Sequence, residues 1–204
     1  MRILYGTGNQ AKLETMRSIL ADTGIEVVGP DEVGIRLPAV QENGRSPLEN
    51  ARLKAWAYFR AARMPAFSCD SGLYIEGLDD DLQPGTHVRN VGGRKLDDEQ
   101  MIEYYSGLAR SLGGQCVAQY RNAICLILSE DTVYEHMGDD ISGVRFLLSS
   151  KAHEKRRPGF PLDSISVEIG TGRYYIDMDS AEISSIDEGF RAFFDRFVPR
   201  ALMR

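Results

Sequence analysis

Residues 2–13 read Arg2-Ile3-Leu4-Tyr5-Gly6-Thr7-Gly8-Asn9-Gln10-Ala11-Lys12-Leu13, and this stretch decides the fold class. A short apolar run stops at a glycine-bearing turn, and beyond it Leu13, Met16, Ile19 and Leu20 recur at helical spacing. Strand, glycine turn, helix is how an α/β chain opens. Residues 25–28 follow as a second strand, and the polar, proline-bearing stretch 29–47 reads as loop with one edge strand at 35–37. Ser46-Pro47-Leu48-Glu49 then starts a helix expected to reach about Arg63. Ser46 suits the N-cap, Pro47 the first helical position and Glu49 the acid of a capping box.

Further along, residues 66–69 read as a short buried strand ending in an Asp70-Ser71-Gly72 turn. Residues 97–112 are amphipathic, with Met101, Tyr104, Tyr105 and Leu108 on one face. Residues 115–129 and 132–148 form a long antiparallel pair around Ser129-Glu130-Asp131, and 165–169 with 173–176 a hairpin around Gly170-Thr171-Gly172. The last helix starts at Asp187 and runs to about Val198, with Phe190, Phe193, Phe194 and Phe197 as its apolar stripe. The expected architecture is α/β: a mixed sheet with flanking helices in one domain over residues 1–204. Two lobes, the antiparallel-rich one at roughly 113–176, surround a cleft suited to a small molecule.

The composition sets outer limits. With 204 residues, 43% hydrophobic and 26% charged, the chain has material for a real core. A net charge of -6 gives no footprint for nucleic acid, so an anionic ligand must be captured locally, with a metal offsetting the carboxylates. No apolar run is long enough for a membrane span, and the first glycines come too early for a signal peptide, so a cytoplasmic protein is expected. Cys69, Cys116 and Cys125 have neither zinc-site spacing nor disulfide density and read as reduced, mostly buried thiols.

Several polar clusters stand out from this background. Thr7-Gly8-Asn9-Gln10-Ala11-Lys12 ends the first strand. Its glycine permits a tight turn, the helix-start amides favour phosphate, and Asn9 and Lys12 lie one turn apart. The same residues also read as an Asn-capped helix with a solvated lysine. Glu42 precedes Glu49-Asn50-Ala51-Arg52-Leu53-Lys54, where Asn50 and Lys54 share a helix face and could bridge phosphate and a metal-bound acid, or could be ordinary surface polarity. Asp70, after buried residues and beside Ser71 and Gly72, could hold a divalent cation or take a proton from water, or simply form a turn. Arg89, after Pro84-Gly85, could clamp phosphate bidentately. Phe160 could stack on a base, and Asp163 could accept from a ring nitrogen or orient a neighbour.

Taken in order, these segments resemble the inosine triphosphate pyrophosphatase family, which hydrolyses deaminated purine nucleoside triphosphates. Thr7, Gly8, Asn9 and Lys12 match its opening motif, Glu49, Asn50, Ala51, Lys54 and Ala55 its helical one, and Asp70, Ser71, Gly72 and Leu73 its acidic turn. Pro84, Gly85 and Arg89, then Gly159, Phe160 and Asp163, complete the series. The resemblance implies an elongated mixed α/β homodimer. It implies that Lys12 and Lys54 bind the triphosphate, with Thr7, Gly8, Asn9, Asn50, Ser71, Gly72 and Arg89 contributing to substrate binding. Glu42 and Asp70 would hold Mg2+ (or Mn2+), Asp70 would be the candidate base, and Phe160 would stack on the purine beside Asp163.

The chain departs from the pattern in three places. Cys69 stands where a second acid usually precedes Asp70, the Pro84-Gly85 loop is one residue short, and the usual C-terminal Lys and Ser-His-Arg base reader is missing. Only Arg191, or the basic run Lys155-Arg156-Arg157, could supply comparable donors. Two other readings remain beside the enzyme of deaminated purines: a pyrophosphatase for other modified nucleotides, and a nucleotide-binding regulator without turnover.

Overall fold

β1 (Arg2–Tyr5) pairs in parallel with β2 (Glu26–Val28) on one side and β3 (Ala66–Ile75) on the other. The structure, a computed structural model, describes residues 1–36, 38–179 and 187–198. It divides into two compact units. The described residues of 1–71 and 121–142 with the last helix make the first; residues 72–120 and 143–179 make the second. The stretch 121–142, expected in the antiparallel-rich lobe, thus belongs to the first unit.

The first unit is a sheet in the order β2-β1-β3-β6, where β6 is Gln115–Ser129 and its second half also carries antiparallel β7 (Thr132–His136). Alternation along the strands sorts the core into two layers. Ile3, Tyr5 and Phe67 point to α1 (Gln10–Leu20) and α4 (Asp187–Phe197), where they pack with Leu13, Met16, Leu20, Phe190, Phe193 and Phe194. Leu4 and Ala66 point the other way, against Tyr58 of α2 (Pro47–Ala62), and Ala51 and Ala55 of α2 cover Ala123, Cys125 and Ile127 of β6. Each large aliphatic or aromatic side chain so buried contributes about 1.5–3 kcal/mol.

In the second unit the first half of β6 pairs antiparallel with β8 (Phe146–Ser149), and β8 with β9 (Ser166–Glu168). α3 (Asp98–Ser111) covers this sheet with Met101, Ile102, Tyr105 and Ala109. A minimal hairpin of β4 (Asn90–Val91) and β5 (Arg94–Lys95) precedes it.

Several expectations are corrected. Residues 35 and 36 form no strand, and Leu37 lies outside the described residues. The partner of β6 is not one strand over 132–148. It breaks at the 3-10 turn Asp139–Ile141, and β7 and β8 take different halves of β6. The hairpin after β9 shrinks to one bridge, Val167 with Tyr174. Tyr104 is 41% exposed, off the packed face of α3.

The largest correction concerns Asp70-Ser71-Gly72, which is no turn: β3 runs through it to Ile75. Gly72 serves a close approach instead. A Cβ there would stand 3.0 Å from the carbonyl carbon and oxygen of Gly85, whose backbone exchanges two 2.9 Å hydrogen bonds with Leu73.

Candidate functional site

Local signals place α2 as its sequence suggests. Ser46 Oγ accepts from the Glu49 amide at 3.2 Å and Pro47 takes the first helical position. The capping box is not closed, because the Glu49 carboxylate accepts from the Arg45 amide instead, at 2.7 Å. From this start Asn50 and Lys54 project from one helix face toward β3. There Asp70, on the α2 side of the strand by alternation, meets both.

Asn50 is 2% exposed and works in two directions. Its Oδ1 accepts from the Gly44 amide at 2.8 Å, pinning the loop that carries Glu42, and its Nδ2 donates to Asp70 Oδ2 at 3.1 Å. Lys54 Nζ donates to Asp70 Oδ1 at 2.6 Å and to Glu42 Oε2 at 2.9 Å. Asp70, 8% exposed, is tolerated so far from water because both its oxygens accept hydrogen bonds, one from a cation. Burial pushes the Lys54 ammonium toward deprotonation, but the carboxylates of Asp70 and Glu42 outweigh it and hold the group above its ordinary range.

On the neighbouring strand end, Thr7 Oγ1 accepts from the Asn9 amide at 3.1 Å, and Asn9 Oδ1 caps α1 by accepting from the Lys12 amide at 3.2 Å. Gly8 and Lys12 are exposed, and Lys12 forms no ion pair among the described residues. The positive fields of Lys12 and Lys54 both act on the Cys69 thiol and favour its ionised form. Burial nevertheless dominates there and pushes that thiol up to about 12. Cys69 points away from Asp70, into the layer of Tyr5 and Phe67, so it does not stand in for a metal-binding acid.

Ser71 is tied elsewhere: its Oγ donates to Asn122 Oδ1 at 2.7 Å, and Asn122 Nδ2 donates to the Ile141 carbonyl at 2.7 Å. Asn122 escaped the sequence reading, although a buried asparagine heading the apolar run 123–128 was its signal.

The remaining candidates, except Arg191, fall in the second unit. Arg89 pairs with Asp98 at 2.8 Å and donates to the Leu96 carbonyl at 3.2 Å. Asp98 also accepts from the Gly159 amide at 3.0 Å, so one unforeseen carboxylate fixes both Arg89 and the turn that carries Phe160. Phe160 is 51% exposed. Asp163 pairs with Arg157 at 2.7 Å; burial raises its carboxyl and the guanidinium only partly offsets that. Arg191 lies part-buried on α4 in the first unit, and residues 180–186, which hold Ser184 to Ile186 of the altered tail, lie outside the described residues.

Among the described residues no group of three His, Cys, Asp or Glu side chains gathers as a metal cage. The carboxylates that come together there are a pair, Glu42 and Asp70, joined through Lys54.

Fold and site together define a class: mixed α/β proteins with a lysine-and-carboxylate site built on the middle of a central strand and the helix beside it. Within that class the chain belongs to the Ham1 family, whose family model matches residues 3–195. The dITP/XTP pyrophosphatase of Mannheimia succiniciproducens is 29% identical over 196 residues, 94% of either chain, and that of Haemophilus influenzae is 27% identical over 194 residues, again 94% of each. The structure of a HAM1 protein from Coxiella burnetii superposes with a TM-score of 0.79 at 23% identity, covering 96% of this chain and 99% of that one, a likeness of fold.

Proposed function

We propose that this chain is a nucleoside triphosphate pyrophosphatase that cleaves deaminated purine nucleotides such as ITP, XTP and dITP to monophosphate and pyrophosphate. The observation that carries this reading is the Lys54 ammonium held between Asp70 and Glu42, at 2.6 and 2.9 Å, with Asn50 fixing Asp70 from the other side. The names of the full-length relatives agree with it.

The chemistry follows from charge. A triphosphate must be neutralised before a nucleophile can approach, and Lys12, Lys54 and the amides opening α1 would share that task. When Lys54 turns its ammonium to a phosphate oxygen, it frees Asp70 Oδ1, which then orients the attacking water by accepting its hydrogen bond. Asn50 keeps the second oxygen still, so the carboxylate meets water in one orientation. The donor set fits Mg2+, or Mn2+ in its place, because such ions are held by one or two carboxylates together with phosphate oxygens. Glu42 and Asp70 would hold it, and it would supply polarisation of the phosphoryl oxygen and a lowered pKa of water.

A homodimer, supported by the family resemblance, and a cytoplasmic location complete the proposal. No described helix is long and apolar enough to cross a membrane. The test is a panel of nucleoside triphosphates assayed for pyrophosphate release with and without Mg2+. Release from ITP and XTP, abolished by chelator, is expected. Binding without release would identify a regulator, and release confined to modified pyrimidines would overturn the purine assignment.

A further inference from the structure

We propose that Arg157, held by Asp163, reads the base edge of the nucleotide beside Phe160. The inference rests on the nucleotide reading above and adds the residue that sets base preference.

Phe160 is a large apolar ring left 51% exposed on a turn, a platform rather than a core residue. That turn is closed by backbone hydrogen bonds from the Phe160 amide to the Arg157 carbonyl at 2.9 Å and from the Asp163 amide to the Phe160 carbonyl at 3.2 Å. Arg157, Phe160 and Asp163 are thus carried on one compact piece of backbone. Arg157 Nη1 donates to Asp163 Oδ2 at 2.7 Å and Nη2 to the Ile176 carbonyl at 3.3 Å. These two contacts fix the plane of the guanidinium and leave it further N–H groups, with 38% of the side chain exposed. Its neighbours are otherwise engaged: Arg156 with Glu99 and two backbone carbonyls, Lys155 with Asp177.

A fixed fork of donors on the turn that carries an exposed ring suits a purine whose six position is a keto acceptor. Adenine presents an amino donor there and would leave the guanidinium unpaired. Asp163 acts through Arg157 as a positioning residue, its Oδ2 accepting from Arg157 Nη1.

The test compares kcat/KM for ITP over ATP in the wild type, Arg157→Gln, Arg157→Lys and Asp163→Asn. It also measures binding of IMP against AMP, which needs no turnover. Arg157→Lys keeps a charge beside Asp163 and loses the fork, so it guards against a variant that merely fails to fold. We expect both Arg157 variants to lose about tenfold or more of the ITP preference through ITP alone, with IMP binding falling in parallel, and Asp163→Asn to lose part of it. An unchanged ITP/ATP ratio and IMP/AMP ratio in a folded Arg157→Lys protein would overturn the inference. Failure of the wild type to release pyrophosphate from any nucleotide would instead overturn the proposed function, and the monophosphate titration would still decide the role of Arg157.

Discussion

Replacing Lys54 with methionine removes the ammonium and keeps the length of the side chain, and its cost can be worked from the site. The side chains of Lys54 and Asp70 are 14% and 12% exposed, so their contact is largely screened from water, while Glu42 is 47% exposed and its share is small. Without Lys54, Asp70 keeps, among the described residues, only the Asn50 amide on Oδ2. Breaking a buried pair from one side costs about 3–5 kcal/mol, and the partial exposure here points to the lower end, about 3 kcal/mol. Asp70→Asn leaves Lys54 with Glu42 and water, a loss of about 1 kcal/mol, and the double variant should cost less than the two losses together. The resulting coupling is about 2 kcal/mol. Urea unfolding followed by circular dichroism at neutral pH measures all four corners of the cycle.

The pH dependence has a definite sign. The folded-state ammonium is held above its ordinary value of 10.5, so its stabilisation is complete below that pH and is lost as pH rises through the folded value. The gap between wild type and Lys54→Met should therefore stay constant through neutral pH and narrow only above about 10.5. A coupling under about 0.5 kcal/mol, or a gap that closes near neutrality, would refute the reasoning.

Glu42→Gln should change stability by less than about 1 kcal/mol, because the Glu42 side chain is exposed, yet abolish hydrolysis; near-normal pyrophosphate release would remove it from the metal-binding pair. Lys12→Ala should raise KM for the triphosphate far more than it lowers kcat, since an exposed lysine without an ion pair acts on charge already present in the ground state. Gly72→Ala should cost about 1–3 kcal/mol, as a Cβ 3.0 Å from the Gly85 backbone pushes the loop of Gly85 off β3; an unchanged melting temperature would show that the Leu73–Gly85 bridge yields freely.

The sequence by itself determined what is encoded within a few residues. The β1–turn–α1 opening, the Asn9 and Ser46 caps and the aromatic stripe of α4 all follow from local spacing and cap chemistry, and they stand in the structure where spacing put them. So does the neighbourhood of Asn50 and Lys54, four apart on a helix face. Whatever depends on a distant partner was hidden. Asp70-Ser71-Gly72 has the composition of a turn, and only its bonding across to Gly85 and the continuation to Ile75 make it strand. That change decides the site, because strand alternation sends Asp70 to Asn50 and Lys54 and Cys69 to the opposite core layer. Asp98, which ties Arg89 to the Gly159 amide across 61 residues, carries no local mark of that role. Local propensity acts over a turn or two of chain, whereas strand pairing and buried ion pairs are chosen by which segments fill each other's hydrogen bonds, and that choice exists only once the chain has folded.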